Sequence, residues 1–209
     1  VAETYIGKEQ TKKDTAMGTT EPNDNMDLQK IEEGVRLILE GVGEDIHREG
    51  LVDTPSRVAR MYQEIFAGLS ISPEEQLKTQ FEEPSEGVII LRDIPFVSMC
   101  EHHILPITGK ASIGYIPGNK IVGLSKLARV VDVLARRPQV QERFSSQIAD
   151  TIYKTLDAKA VGVVVDSSHS CMTIRGIKKP GSSMVTSVFR GEFKENLAAR
   201  TEFLNMLKH

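Results

Sequence analysis

Residues 88–124 read VIILRDIPFVSMCEHHILPITGKASIGYIPGNKIVGL, and this stretch decides the fold. Residues 88–91, 96–99, 107–116 and 121–124 are short apolar runs broken by Pro and Gly, the pattern of successive strands. Downstream, helical spacing predicts helices over 126–137 and 141–156, separated near Pro138. Strands resume over 161–166, 171–177 and 184–193, and a last helix covers about 195–207. Upstream, Leu28, Ile31, Val35, Ile38, Leu39 and Val42 recur at helical spacing, with Gly41 and Gly43 weakening the end. Asp53-Thr54-Pro55 opens a second helix, with a capping residue before a first-turn proline, that turns Val58, Met61, Ile65 and Phe66 inward. Ser72-Pro73-Glu74-Glu75 has the spacing of a capping box and opens a short third helix. Residues 1–26 are polar and without period, which predicts a mobile tail. The expected organisation is therefore the tail, a helical region over 27–86 and a core over 87–209. Helices, strands, a helix pair, strands and a helix, in that order, predict an α+β fold with a mainly antiparallel sheet, not a doubly wound one.

Composition bounds the function. The chain has 209 residues, 40% hydrophobic and 26% charged, with a formal net charge of -3. That balance disfavours a nucleic-acid coat or a membrane-surface binder, which need a broad excess of positive charge. No apolar run approaches the roughly 18 residues of a membrane span. The start of the chain lacks the apolar centre of a signal peptide. With only 2 cysteines there is no disulfide framework, and the expected home is the reducing cytoplasm.

Both cysteines sit beside histidines, in Cys100-Glu101-His102-His103 and in His169-Ser170-Cys171. Thiolate and imidazole are the donors zinc prefers, and three protein ligands leave a fourth position for water, whose pKa zinc lowers to about 7. Cys100, His103 and Cys171 would make such an open site. Either cysteine alone reads as a small buried apolar side chain, and a Cys100–Cys171 disulfide is the pairing open to a secreted protein. The two clusters together favour a metal. A closed structural site would draw its fourth ligand from His102 or His169, and spacing leaves that choice open. The second cluster is expected on a strand, where His169, Cys171, Thr173 and Arg175 project to one face, an arrangement suited to an anionic substrate beside a metal. A lone Arg175 is equally a solvated surface charge.

Positive charge is concentrated locally. Lys126, Arg129, Arg136, Arg137 and Arg143 face only two acidic residues between positions 126 and 143, and residues 171–190 carry four basic residues and none acidic. Gly123-Leu124-Ser125-Lys126 passes from strand to helix with Ser125 as the expected N-cap, and helix N-termini favour phosphate. Lys126 and Arg129 share a helix face. These features suggest a polyphosphate site without a P-loop, although such patches are also ordinary solvated helix faces. Glu142, at a helix start, can accept paired N–H bonds of the kind guanine offers, yet the helix dipole alone explains a glutamate there.

These segments together resemble the zinc-dependent GTP cyclohydrolase I family. The matching text is Cys100-Glu101-His102-His103, Gly114-Tyr115-Ile116-Pro117, Gly123-Leu124-Ser125-Lys126-Leu127-Ala128-Arg129, Gln139-Val140-Gln141-Glu142-Arg143 and His169-Ser170-Cys171-Met172 through Arg175-Gly176. Asp53-Thr54-Pro55-Ser56-Arg57-Val58 and Arg200-Thr201-Glu202-Phe203-Leu204 agree as well. The likeness covers about residues 27–209. It implies a tunnelling fold whose sheets join between subunits into a toroidal barrel, usually a homodecamer with active sites at the subunit interfaces. It implies one zinc per subunit on Cys100, His103 and Cys171, with His102 and His169 as acid/base groups. Glu142 would anchor guanine with Gln141 beside it. Ser125, Lys126, Arg129 and Arg175 would hold the triphosphate, and Arg57 would reach in from a neighbour. The implied reaction opens GTP at C8, releases formate and closes the pterin ring of 7,8-dihydroneopterin triphosphate, the first step toward pterins and folates. Ser112, where many members carry His, and Met184, where Thr is common, depart from the pattern. Two rivals remain: a catalytically silent, zinc-stabilised nucleotide-binding oligomer, and another tunnelling-fold enzyme such as a nitrile reductase of the queuosine pathway. The first has no use for two spare histidines; the second needs a metal-free nucleophilic cysteine and a nicotinamide cofactor.

Overall fold

The computed structural model describes residues 25–83, 85 and 87–208. The tail expected over 1–26 lies outside the described residues except for Asn25 and Met26. The elements are α1 (Leu28–Gly41), α2 (Thr54–Ile65), β1 (Gln80–Glu82), β2 (Ile89–Cys100), β3 (Pro106–Ile116), β4 (Lys120–Val122), α3 (Leu124–Ala135), β5 (Pro138–Gln139), α4 (Gln141–Thr155), β6 (Ala160–His169), α5 (Ser170–Thr173), β7 (Met184–Gly191), α6 (Glu192–Glu195) and α7 (Leu197–Met206). Two short 3₁₀ turns, Ala67–Ser70 and Glu74–Leu77, link α2 to β1. The main sheet runs β5-β2-β3-β6-β7, antiparallel except where β5 joins β2, and β1 pairs with β4 in a separate ribbon. The α+β class and the antiparallel sheet backed by a helix pair are as the sequence predicts.

Period-two alternation puts Ala111, Ile113 and Tyr115 of β3 on the same buried face as Val161, Val163 and Val165 of β6. Onto that face α3 lays Leu127, Val130, Val131 and Leu134, and α4 lays Phe144, Ile148 and Ile152. The Phe96 and Phe144 rings meet at 4.8 Å, tilted by 47°. A smaller cluster covers the other face. There Phe203 of α7 stacks on Phe193 and lies across Gly114 and Gly162, direct cross-strand partners; a Cβ at either glycine would strike the ring.

Local chemistry revises several boundaries. The strands expected over 88–91 and 96–99 are one strand, because a bulge between Leu91 and Ile94 absorbs Asp93 in the left-handed region (φ 56°). The hydroxyl of Ser112 accepts the freed Asp93 N–H at 3.1 Å. Ser125 is not the N-cap of α3: Gly123 is, so Ser125 sits within the first turn. Ser72 does not close a capping box either; its hydroxyl donates to the Glu74 carboxylate at 2.5 Å. The strand expected over 171–177 is absent. β6 loses its β7 partner after Ser167 and its β3 partner after His169, and the unpaired chain turns into α5. Met61, expected inward, is exposed, and α1 buries no residue at all: Leu37 and Ile38 face outward, as does Val42 just beyond its end.

Candidate active site

The β2–β3 connection is a tight turn that puts Cys100 and His103 together. Cys100 donates its N–H to the Leu105 carbonyl (2.9 Å) and accepts on its own carbonyl from Ile104 (2.8 Å). Closing the turn forces Ile104, a β-branched residue, to φ 52°, a conformation costing about 1–3 kcal/mol. Cys171 arrives from α5, immediately beyond His169, whose Cα pairs with Ile107 across the ladder. Cys100 Sγ and His103 Nδ1 are 3.9 Å apart, and with Cys171 Sγ all three donor atoms lie within 4.8 Å of one another. Ligands on a tetrahedral zinc stand about 3.5–3.8 Å apart, given Zn–S near 2.3 Å and Zn–N near 2.0 Å, so this donor set suits zinc in both chemistry and spacing. Both cysteines are free thiols. Burial and the neighbouring Cys100 sulfur push the Cys171 thiol upward, while Arg175 opposes the shift. A divalent cation reverses that repulsion and favours both thiolates.

His169 stands beside this trio. Burial lowers its imidazole below the ordinary value, with Glu142 pulling the other way. Its Nε2 is 2.8 Å from Oε1 of Gln141. Gln141 was expected to touch a ligand, but only 2% of it is exposed and its amide is engaged within the protein. Glu142, next along α4, is exposed near His169. Glu101 links the turn to α4 through an ion pair with Arg143, which holds its carboxyl below the usual range; His102 lies 3.9 Å from its other oxygen. Arg175 acts on Cys171 from the loop after α5, not from a shared strand face.

Other predicted residues lie elsewhere. The Tyr115 hydroxyl accepts the Val122 N–H just before α3, placing Ser125 and Lys126 toward the Ile89–Tyr115 end of the sheet, with Arg129 one turn further along the helix. Cys100 follows Met99 at the Met99–Pro106 end, and the two ends are ten residues apart along β2, roughly 30 Å at strand rise. Arg57, exposed on α2, pairs with Asp53 at 3.2 Å. One chain therefore carries a thiol–imidazole corner and a basic helix start, and does not bring them together.

The GTP cyclohydrolase I family model matches residues 31–208. Among curated relatives named GTP cyclohydrolase 1, the Brevibacillus brevis protein is 52% identical over 88% of this chain and 99% of its own. The Pelotomaculum thermopropionicum protein is 56% identical over 87% and 97%, and that of Bacillus subtilis 54% over 86% and 95%. This chain belongs to the GTP cyclohydrolase I family. A solved archaeosine synthase QueF-Like chain in the apo form resembles it with a TM-score of 0.41 and 14% identity, over 52% of this chain and 97% of the other.

For a GTP cyclohydrolase I family member, one of the two departures has a local explanation. The Ser112 hydroxyl satisfies the β2 bulge as described; nothing in the structure explains the Met184 side chain, whose residue contributes only its main-chain carbonyl to Gln141 Nε2 at 2.8 Å. Sequence reasoning passed over Ser167 and Thr186, which hold the Gln141 amide, and the Glu101–Arg143 pair. Ser167 was findable, since it lies two residues before His169 and so shares its strand face. Thr186 had no signal, because its partner is 45 residues away.

Proposed function

We propose that the chain is a zinc-dependent GTP cyclohydrolase I that converts GTP and water to 7,8-dihydroneopterin triphosphate and formate. The observation that carries this reading is the meeting of Cys100, His103 and Cys171 donors within 4.8 Å, with His102 and His169 left over beside them. Zinc bound there would supply an activated water at neutral pH for attack on a purine carbon. Glu142 accepts the N1–H and exocyclic amine of guanine and so selects GTP over ATP. His102 protonates N7 as C8 becomes tetrahedral, and His169 moves protons during ribose opening. Arg175 neutralises one part of the triphosphate from the metal corner.

Ser125, Lys126, Arg129 and Arg57 complete the site from other subunits. The roughly 30 Å between the two halves in one chain supports that division, because no rearrangement within a folded sheet closes it. Both outer strands, β2 and β7, offer unpaired edges along most of their length, suited to a barrel closed between copies, with a toroidal homodecamer as the expected assembly. Among the described residues no helix is long and apolar enough to cross a membrane. A cytoplasmic location completes the reading.

The test is to incubate zinc-loaded protein with GTP and measure formate and oxidised-pterin fluorescence. Equimolar formate and neopterin product are expected. Neither product, despite full zinc and tight GTP binding, would replace this reading with the silent oligomer.

A further inference from the structure

We infer that Gln141 is a positioning residue that locks the His169 ring with its hydrogen on Nε2, leaving Nδ1 as the ring nitrogen that Gln141 does not hold. The inference rests on the proposed function only in giving His169 a substrate to act on. The lock itself follows from hydrogen-bond accounting. The Gln141 Nε2 lies 2.8 Å from the Met184 carbonyl and 3.1 Å from the Val165 carbonyl. Carbonyls only accept, so the amide NH2 must face them and the side chain cannot be turned round.

Its third neighbour agrees. Ser145 donates its hydroxyl proton to the Gln141 carbonyl at 2.9 Å, so in the 2.6 Å contact between the hydroxyls of Ser145 and Thr186, Thr186 is the donor. The Thr186 oxygen is then free to accept from Gln141 Nε2 at 3.2 Å. With its nitrogen spent, Gln141 turns Oε1 toward the Ser167 hydroxyl at 2.6 Å and His169 Nε2 at 2.8 Å. An amide oxygen has no proton to give, so Ser167 and His169 must both donate. His169 therefore carries its hydrogen on Nε2, with Nδ1 outside the Gln141 contact. The amide is 2% exposed, so water does not compete for these bonds. A direct contact between the Gln141 side chain and substrate would require breaking several of them.

The test uses solid-state ¹⁵N NMR of zinc-loaded, histidine-labelled protein, with His169→Asn identifying one signal pair among the 5 histidines. Wild-type neutral His169 should be a single form, protonated at Nε2 and bare at Nδ1. Gln141→Met should give mixed tautomers and lower kcat about 10–100-fold, with zinc retained and KM for GTP within about twofold. Asp150→Asn loosens α4 at its pair with Arg190, nine residues beyond Gln141, and should leave both tautomer and kcat near wild type.

A wild-type His169 protonated at Nδ1, or mixed, overturns the inference, and needs no variant to fold. So does a Gln141→Met defect confined to KM, which would make Gln141 a substrate contact, or an equal loss in Asp150→Asn, which would make the effect a general loosening of α4. A locked Nε2–H in protein that turns over no GTP would support the lock and overturn the proposed function instead.

Discussion

The two ends of the main sheet solve different problems. At the Met99–Pro106 end, a tight turn, a strand terminus and a helix start converge, and three metal-type donors meet within 4.8 Å. At the Ile89–Tyr115 end, α3 begins with Leu124 and Ser125 exposed and Lys126 next to them. On the proposed reading, the first end is finished by folding, whereas the second waits for association. The polypeptide would then encode two half-sites and rely on symmetry to join them.

The largest expected effect falls on the finished end. Cys171→Ser should lose stoichiometric zinc and GTP turnover together, to background, in metal analysis and the formate assay; retained zinc would sink the ligand assignment. Next comes a test of the division itself. Cys171→Ser and Lys126→Ala, each inactive alone, should regain roughly a quarter of wild-type turnover when co-assembled one to one, the share of random interfaces that pair two intact halves. No recovery would mean that both halves act within one chain.

A smaller contrast lies along α3, which has a leucine at each end. Leu134 is 1% exposed and Leu124 is 54% exposed. Leu134→Ala should cost about 2–5 kcal/mol in denaturant unfolding, and Leu124→Ala about 0.5 kcal/mol or less. Equal costs would erase the difference between a packed and an unpartnered end.

The smallest effect concerns Asp150 on α4, whose carboxyl Arg190 and Ser146 hold below the ordinary range, with burial opposing. A depressed folded pKa stabilises above the unfolded value, about 3.9, and that stability fades as pH falls through the folded one. Asp150→Asn should therefore cost about 1 kcal/mol or less at neutral pH, the pair being partly exposed. Its deficit against wild type should shrink below about pH 4; a deficit constant with pH would assign the loss to geometry rather than charge.

Much of the packed architecture was legible because periodicity reports packing against one's own chain. Leu127, Val130, Val131 and Leu134, or Phe144, Ile148 and Ile152, are inward rows at helical spacing, and they are inward in the structure. The same signal over-reached around α1, where Ile38 and, just past the helix end, Val42 keep the period yet face outward, because amphipathicity says that a face wants cover and not what covers it. The Cys171–Arg175 region misled for a related reason. Its residues suit a strand, but strand formation needs a partner, and the ladder ends at His169. The three-residue ribbon strands β1 and β4 were too short for any period to register on both sides; only 121–124 was anticipated. In the site, residue type and proximity in sequence pointed to the cysteines and histidines. Ser125 was misplaced as a cap because Gly123 could begin the helix earlier. The group behind His169 was hidden because Gln141 draws on two main-chain carbonyls, which leave no trace in side-chain identity.

The ring of Phe203 resting on Gly114 and Gly162 ties three positions together as heritable units. An alanine at either glycine would be rejected while the phenyl ring stays, yet admitted once residue 203 becomes smaller. Loss of the ring first would leave a groove that a later methyl group could fill. The order in which such changes arise would then decide which lineages survive them, so these three sites, scattered over 89 residues of sequence, drift as one.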